Sequence, residues 1–173
     1  MARIGLIPIM MGAFYTQSLI GRWVAAFAFI FACFTDFLDG YFARSWSQTT
    51  RVGQFLDPIA DKLLVASTLL MLAGFGRISH FTLMPAIIIL CREIMVSGLR
   101  EFLSELKVNM PVTDFAKWKT AIQMLAISLL LLGDTPTFGS PFLLLGEGLL
   151  WIAALMTLTS GLDYLKASIK HFQ

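Results

Sequence analysis

The sequence predicts an all-α integral membrane protein, a bundle of six transmembrane helices forming one domain over residues 1–173. Apolar residues make up 57% of the chain and charged residues only 14%, so there are too few charges to cover a water-facing surface. Six apolar runs have about the 17–25 residues needed to cross a bilayer core. The breaks between them are short and carry turn residues.

The runs are Ile4 to Leu19, Trp23 to Arg44, Asp57 to Phe75, Phe81 to Leu103, Phe115 to Leu132 and Pro141 to Leu165. Each must be helical, because an unpaired backbone group in hydrocarbon costs several kcal/mol. The expected breaks are Gly21-Arg22, the polar stretch Ser45 to Gln54, Gly74-Phe75-Gly76, Lys107 to Thr113 with Pro111, and Gly133 to Pro141. Arg3 is followed by a hydrophobic stretch without a small-residue cleavage site, so no cleavable leader is expected. Cys33 and Cys91 lie inside apolar runs and read as small buried hydrophobes. Trp23, Trp118 and Tyr164 fall near span ends, as an aromatic belt requires.

Short connections make successive helices alternate in direction. With Ser45 to Gln54 on the cytoplasmic side, eleven of the thirteen basic residues fall on that side and only Arg22 and Arg77 on the other. The positive-inside rule therefore predicts a multi-pass protein with both termini and the charged helix ends in the cytoplasm. A net charge of +2 without a basic arm or tail gives no reason to expect nucleic acid.

Asp36, Asp39, Asp57 and Asp61 place four carboxylates within 26 residues. A charge at membrane depth costs about 2.5–3.5 kcal/mol, so such a set needs a cation. Spacings of three and four put each pair on one helix face. Antiparallel helices joined by a short loop can then bring the pairs together. Hard oxygen donors without histidine or cysteine favour Mg²⁺ or Mn²⁺ over zinc, with room for two ions about 3.5–4 Å apart. Gly40, Ala43 and Gly53 allow close approach of a ligand, and Arg44 offers a forked donor suited to phosphate oxygens. Taken singly, the small residues also suit helix packing and Arg44 an interfacial anchor.

The run Asp36-Phe-Leu-Asp39-Gly40-Tyr-Phe-Ala43-Arg44, followed after eight residues by Gly53 and then, at intervals of three, by Asp57 and Asp61, resembles the complete signature of the CDP-alcohol phosphatidyltransferases. Arg92-Glu93-Ile94, Leu99-Arg100-Glu101 and Lys117-Trp118-Lys119-Thr120 resemble the branch of that family that uses glycerol 3-phosphate. The resemblance implies a six-helix fold, usually a homodimer, in the bacterial inner membrane with its site facing the cytoplasm. It also implies transfer of a phosphatidyl group from CDP-diacylglycerol to sn-glycerol 3-phosphate, releasing CMP. By the same resemblance Asp36 and Asp57 are ligands shared by two metal ions, Asp39 a ligand of one, and Asp61 a ligand of the other and the proton acceptor. Gly40, Arg44 and Thr50 match positions that touch the CDP-diacylglycerol nucleotide and diphosphate, with Ala43 and Gly53 making room. One departure stands at the start, where family members carry an Asn-rich segment before an arginine like Arg3. The chain opens at Met1-Ala2-Arg3, so the nucleotide-binding part of that segment is expected to be truncated.

The acceptor is read from a second cluster, Arg92, Arg100, Lys117 and Lys119, on the fourth and fifth helices. Arg92 and Arg100 are about two turns apart, and the lysines open the next helix on the same side. Together they suit a phosphomonoester. Pairing of Arg92 with Glu93, and lysines serving only as interfacial anchors, is the competing reading. Glu93, Glu101 and Glu105 are expected to orient the arginines, and Asp114 to cap the fifth helix. Other acceptors (serine, inositol phosphate or phosphatidylglycerol) and, from a different class, a cation transporter are the rival functions. Carboxylates gathered toward one membrane side argue against transport.

Overall fold

The computed structural model describes the backbone of residues 2–46, 51–105, 114–133, 135 and 137–172, and the side chains of 5–35, 59–103, 115, 117–133, 135 and 137–161. Among the described residues it is helical, without strands: α1 (Ala2–Tyr15), α2 (Leu19–Trp46), α3 (Arg51–Gly74), a 3-10 turn (His80–Thr82), α4 (Leu83–Glu105), α5 (Asp114–Gly133) and α6 (Gly139–Phe172). Each predicted apolar run has its helix. The stretches His80–Leu103 and Gly139–Gly161 are long and apolar enough to cross a bilayer. Large side chains such as Phe27, Phe31, Leu70, Ile87, Ile94 and Leu144 face outward, which suits lipid and not water.

Two boundaries differ from the sequence expectation. The stretch Ser45 to Gln54 is largely helical: α2 continues to Trp46 and α3 begins at Arg51, leaving only residues 47–50 between them. The first break precedes Gly21. It lies at Thr16 to Ser18, where Gln17 has φ 47° and the Ser18 hydroxyl accepts a hydrogen bond from the Gly21 amide at 3.0 Å, capping α2. Gly21 is needed for close approach, because a Cβ there would stand 2.1 Å from Thr16 Oγ1 and 2.5 Å from the Ala13 carbonyl oxygen. Gly76, by contrast, acts as predicted. With φ 64° it ends α3 in a Schellman motif, Arg77 N donating to Leu72 O at 2.8 Å and Gly76 N to Ala73 O at 3.1 Å.

The core is a single apolar cluster that includes Met10 and Phe14 of α1, Phe29 of α2, Leu69 of α3, Ile89 of α4, Leu130 of α5 and Leu150 of α6. Helix α1 packs against α2 and α3, α4 against α6, and α5 most extensively against α6. The far end of the bundle is closed by local contacts. Arg77 lies over the Phe14 ring at 4.5 Å, Trp23 stacks on Phe27 at 5.5 Å, and Glu147 accepts a hydrogen bond from the Ser79 amide at 2.9 Å. Of the two cysteines expected to be buried, Cys33 is half-buried against the core and Cys91 faces outward on α4, on the side turned away from the bundle.

Glycines set the distance between α5 and α6. A Cβ at Gly133 would lie 2.5 Å from the Leu143 backbone nitrogen, while one at Gly148 meets nothing within 4 Å. Gly133→Ala is therefore expected to lower stability by about 1–3 kcal/mol, since backbone must move. Gly148→Ala is expected to leave it unchanged or raise it by up to about 1 kcal/mol. Thermal denaturation in detergent micelles compares the two.

Candidate active site

Residues 47–50 connect α2 to α3, so positions can be measured outward from that connection. At about 1.5 Å per residue, Asp39 lies about 10 Å back along α2 from its end at Trp46, and Asp57 about 9 Å along α3 from its start. Asp36 and Asp61 both lie about 15 Å from the same ends. The two pairs thus occupy matched heights. The helical backbone of α2 carries Asp36, Asp39, Gly40, Ala43 and Arg44, and that of α3 carries Gly53, Asp57 and Asp61. The side chains of these residues lie outside the described ones, except for Asp61. Thr50 lies outside altogether.

Asp61 borders a cavity of about 220 Å³ between α3, α4 and α5. Each helix presents one face to it. On α3 that face is Asp61, Lys62 and Val65. Leu90, Glu93 and Arg100 follow from α4, and Thr120, Gln123 and Met124 from α5. The spacings of three, four and seven are those of residues stacked on one side of an α-helix.

The predicted basic cluster is divided. Arg100 lines the cavity, but Arg92 is buried against α6, where its Nη2 donates to Ser160 Oγ at 2.9 Å. Helix geometry explains the split: eight residues turn the helix by about 800°, leaving Arg92 and Arg100 about 80° apart. The seven residues from Glu93 to Arg100 leave only about 20°. Glu93 is therefore the α4 partner of Arg100 on the cavity face. A Cβ at Gly161 would stand 3.2 Å from Arg92 Cγ, so α6 carries its smallest residue where the arginine stem passes.

Glu93 joins the basic groups. Its Oε1 pairs with Lys119 Nζ and lies 3.6 Å from Arg92 Nη1. Lys119 is 2% exposed, so this carboxylate supplies the counter-charge for a cation withdrawn from solvent. Lys117, two residues earlier, is on the exposed side of α5. Lys62 donates to Ser97 Oγ, tying α3 to α4 beside the cavity. Lys62 and Gln123 were not evident as site residues from the sequence. For Gln123 a signal exists, because it follows Lys119 and Thr120 at helical spacing and is flanked by apolar residues on both sides.

The arrangement is an acidic residue and an arginine on adjoining walls of one pocket, beside two helices whose aspartates stand at matched heights. The family model described as CDP-alcohol phosphatidyltransferase matches residues 1–159. The chain belongs to the CDP-alcohol phosphatidyltransferase family. Among its relatives, a protein of Rickettsia bellii is 45% identical over 171 residues, covering 99% of this chain and 93% of that one. A Pseudomonas fluorescens protein is 44% identical, covering 99% and 88%, and one of Haemophilus influenzae is 39% identical, covering 96% and 88%. All three are named CDP-diacylglycerol–glycerol-3-phosphate 3-phosphatidyltransferase. The chain is thus an enzyme, a transferase of phosphorus-containing groups in phospholipid biosynthesis.

CDP-alcohol phosphatidyltransferases generally depend on a divalent metal. The donor chemistry here fits one: Asp61 is a hard oxygen donor at the cavity, and neither histidine nor cysteine is among the lining residues.

The Glu93 contacts generate a test. Glu93→Ala leaves Lys119 buried without its carboxylate and is expected to cost about 3 kcal/mol of stability. Adding Lys119→Met to Glu93→Leu removes both charges and should recover most of that loss, read as the denaturation midpoint in detergent. An equal loss in the single and double variants would refute the pairing as the source.

Proposed function

We propose that this chain transfers the phosphatidyl group of CDP-diacylglycerol to sn-glycerol 3-phosphate, giving phosphatidylglycerol phosphate and CMP. The observation that carries this reading is the cavity in which Asp61 and Arg100 stand on adjoining walls. Near-full-length similarity to relatives bearing that activity in their names supports it. The acceptor's hydroxyl oxygen attacks the phosphorus bonded to diacylglycerol. The bond from that phosphorus to the CMP oxygen breaks, and the hydroxyl proton passes to Asp61.

In this reading Asp36, Asp39, Asp57 and Asp61 would hold Mg²⁺ or Mn²⁺, as two ions. The ions supply charge neutralisation for the diphosphate and the departing CMP. Gly40, Ala43, Arg44, Thr50 and Gly53 form the CDP-diacylglycerol side of the site, with Arg44 on phosphate oxygens and the small residues giving room. Arg100 receives the acceptor phosphate. Lys119 and Arg92, gathered around Glu93 beside it, add positive potential, and Lys117 does so from the exposed side. All six helices span the bacterial inner membrane, the cavity faces the cytoplasm, and the enzyme works as a homodimer. The outward-facing apolar side chains and the gathering of basic residues toward one side support this placement.

An acceptor panel tests the function. Purified enzyme in micelles receives CDP-diacylglycerol, Mg²⁺ and labelled glycerol 3-phosphate, serine, inositol phosphate or phosphatidylglycerol. Label is expected in a new lipid product, resolved by thin-layer chromatography, from glycerol 3-phosphate alone, and EDTA should suppress it. Label from another acceptor alone would overturn the acceptor assignment, and metal-independent product would overturn the metal reading.

Asp61→Asn tests the base. It is expected to lower kcat by about 10²–10⁴-fold with an unchanged denaturation midpoint. Turnover at the original rate would remove Asp61 from that role.

A further inference from the structure

Gln123 is 2% exposed, and its carboxamide oxygen has no hydrogen-bond partner among the described residues. A buried acceptor left unmade costs about 1–3 kcal/mol, and a leucine or methionine at this position would fill the same space without that cost. The side chain lines the cavity that Asp61 and Arg100 also line.

Its place along the cavity indicates what it meets. Helix α3 runs from the aspartate end toward the far end, α4 runs back, and α5 runs away again. Counted at about 1.5 Å per residue along their own helices from the ends nearest the α2–α3 connection, Arg100 lies about 8 Å in, Gln123 about 14 Å, Asp61 about 15 Å and Glu93 about 18 Å. Gln123 is thus level with Asp61 and farther in than Arg100. An acceptor whose phosphate lies at Arg100 and whose attacking hydroxyl lies at Asp61 still has one hydroxyl, on its central carbon.

We propose that Gln123 is a specificity-determining residue whose carboxamide oxygen accepts a hydrogen bond from the non-reacting hydroxyl of the acceptor. The enzyme then selects phosphorylated vicinal diols over phosphorylated simple alcohols. This rests on glycerol 3-phosphate being the acceptor. A site built around a hydroxyl rejects the analogue that lacks it, because the buried acceptor is again left unpaired.

The test compares kcat/KM for glycerol 3-phosphate and for 3-hydroxypropyl phosphate, which lacks the central hydroxyl, in the unaltered enzyme, Gln123→Leu and Gln123→Met. The unaltered enzyme is expected to prefer glycerol 3-phosphate by about 10- to 100-fold. In both variants that preference should fall to within about threefold, through loss of activity on glycerol 3-phosphate and not on the analogue. A preference retained in either folded variant overturns the proposal. So does an unaltered enzyme that uses both acceptors equally, a result that needs no variant to fold. An unaltered enzyme that makes no lipid from glycerol 3-phosphate but does so from another acceptor overturns the functional reading itself. Turnover of glycerol 3-phosphate without the predicted preference overturns only the role of Gln123.

Discussion

A charge withdrawn into an apolar helix bundle must find its counter-charge among the neighbouring helices, and the rest of this structure is arranged around that constraint. Glu93 is where it is met most visibly. Its carboxylate stands between Lys119 of α5 and Arg92 of α4, and Arg92 reaches on to Ser160 of α6. Three helices are thereby fixed to one another through polar contacts on which little water can act. Replacing the set with apolar residues would hold the helices together as well or better. Its retention is explained by what it borders: the face of α4 that carries Glu93 also carries Arg100 into the cavity.

The apolar core supplies the rigidity that this polar layer requires. Close packing of α5 on α6, with Gly133 and Gly146 where the helices come nearest, leaves α5 little freedom to slide. Lys119, Thr120 and Gln123 are consequently held in fixed register against α3 and α4. Small residues thus act at a distance from the chemistry. Gly161 does the same for Arg92, whose stem passes where a larger residue on α6 would press against it.

The helices are legible in the sequence because apolar run length and turn residues report directly on where a helix extends and where it ends. Their polar ends are less so. Ser45 to Gln54 looks like a loop by hydropathy, yet most of it is helix, since polar residues are compatible with helix wherever a helix leaves the apolar layer. Gly21 reads as a breaker by composition, but it is a packing residue within α2, and the capping signal is Ser18 three positions before it. Within the site, the aspartate spacing carried the family signature unaided. The basic cluster was harder because sequence separation gives height along a helix more readily than direction around it. Arg92 and Arg100 lie two turns apart on one helix and face different neighbours, whereas Glu93, charged with the opposite sign, shares the direction of Arg100. That Gln123 has an unmet oxygen follows only from the positions of the surrounding side chains, which no spacing rule supplies.

The cavity is mixed in character, its walls carrying Asp61, Lys62, Glu93, Arg100, Thr120 and Gln123 together with the apolar Val65, Leu90 and Met124. One substrate of the proposed reaction is anchored in lipid and the other is soluble and anionic, so the site has to be reachable by both. A charged site at mid-bundle would pay the full desolvation of every carboxylate, while one in bulk water would lose the field strength that low dielectric gives its charges. Asp61, the eleventh of the 24 residues of α3, stands near the middle of its helix, so in this reading the basic groups around the cavity have to offset the burial of its charge. Apolar wall residues such as Val65 and Leu90 beside that polar set keep the local dielectric low, and a low dielectric strengthens every interaction the Asp61 carboxylate makes in the cavity.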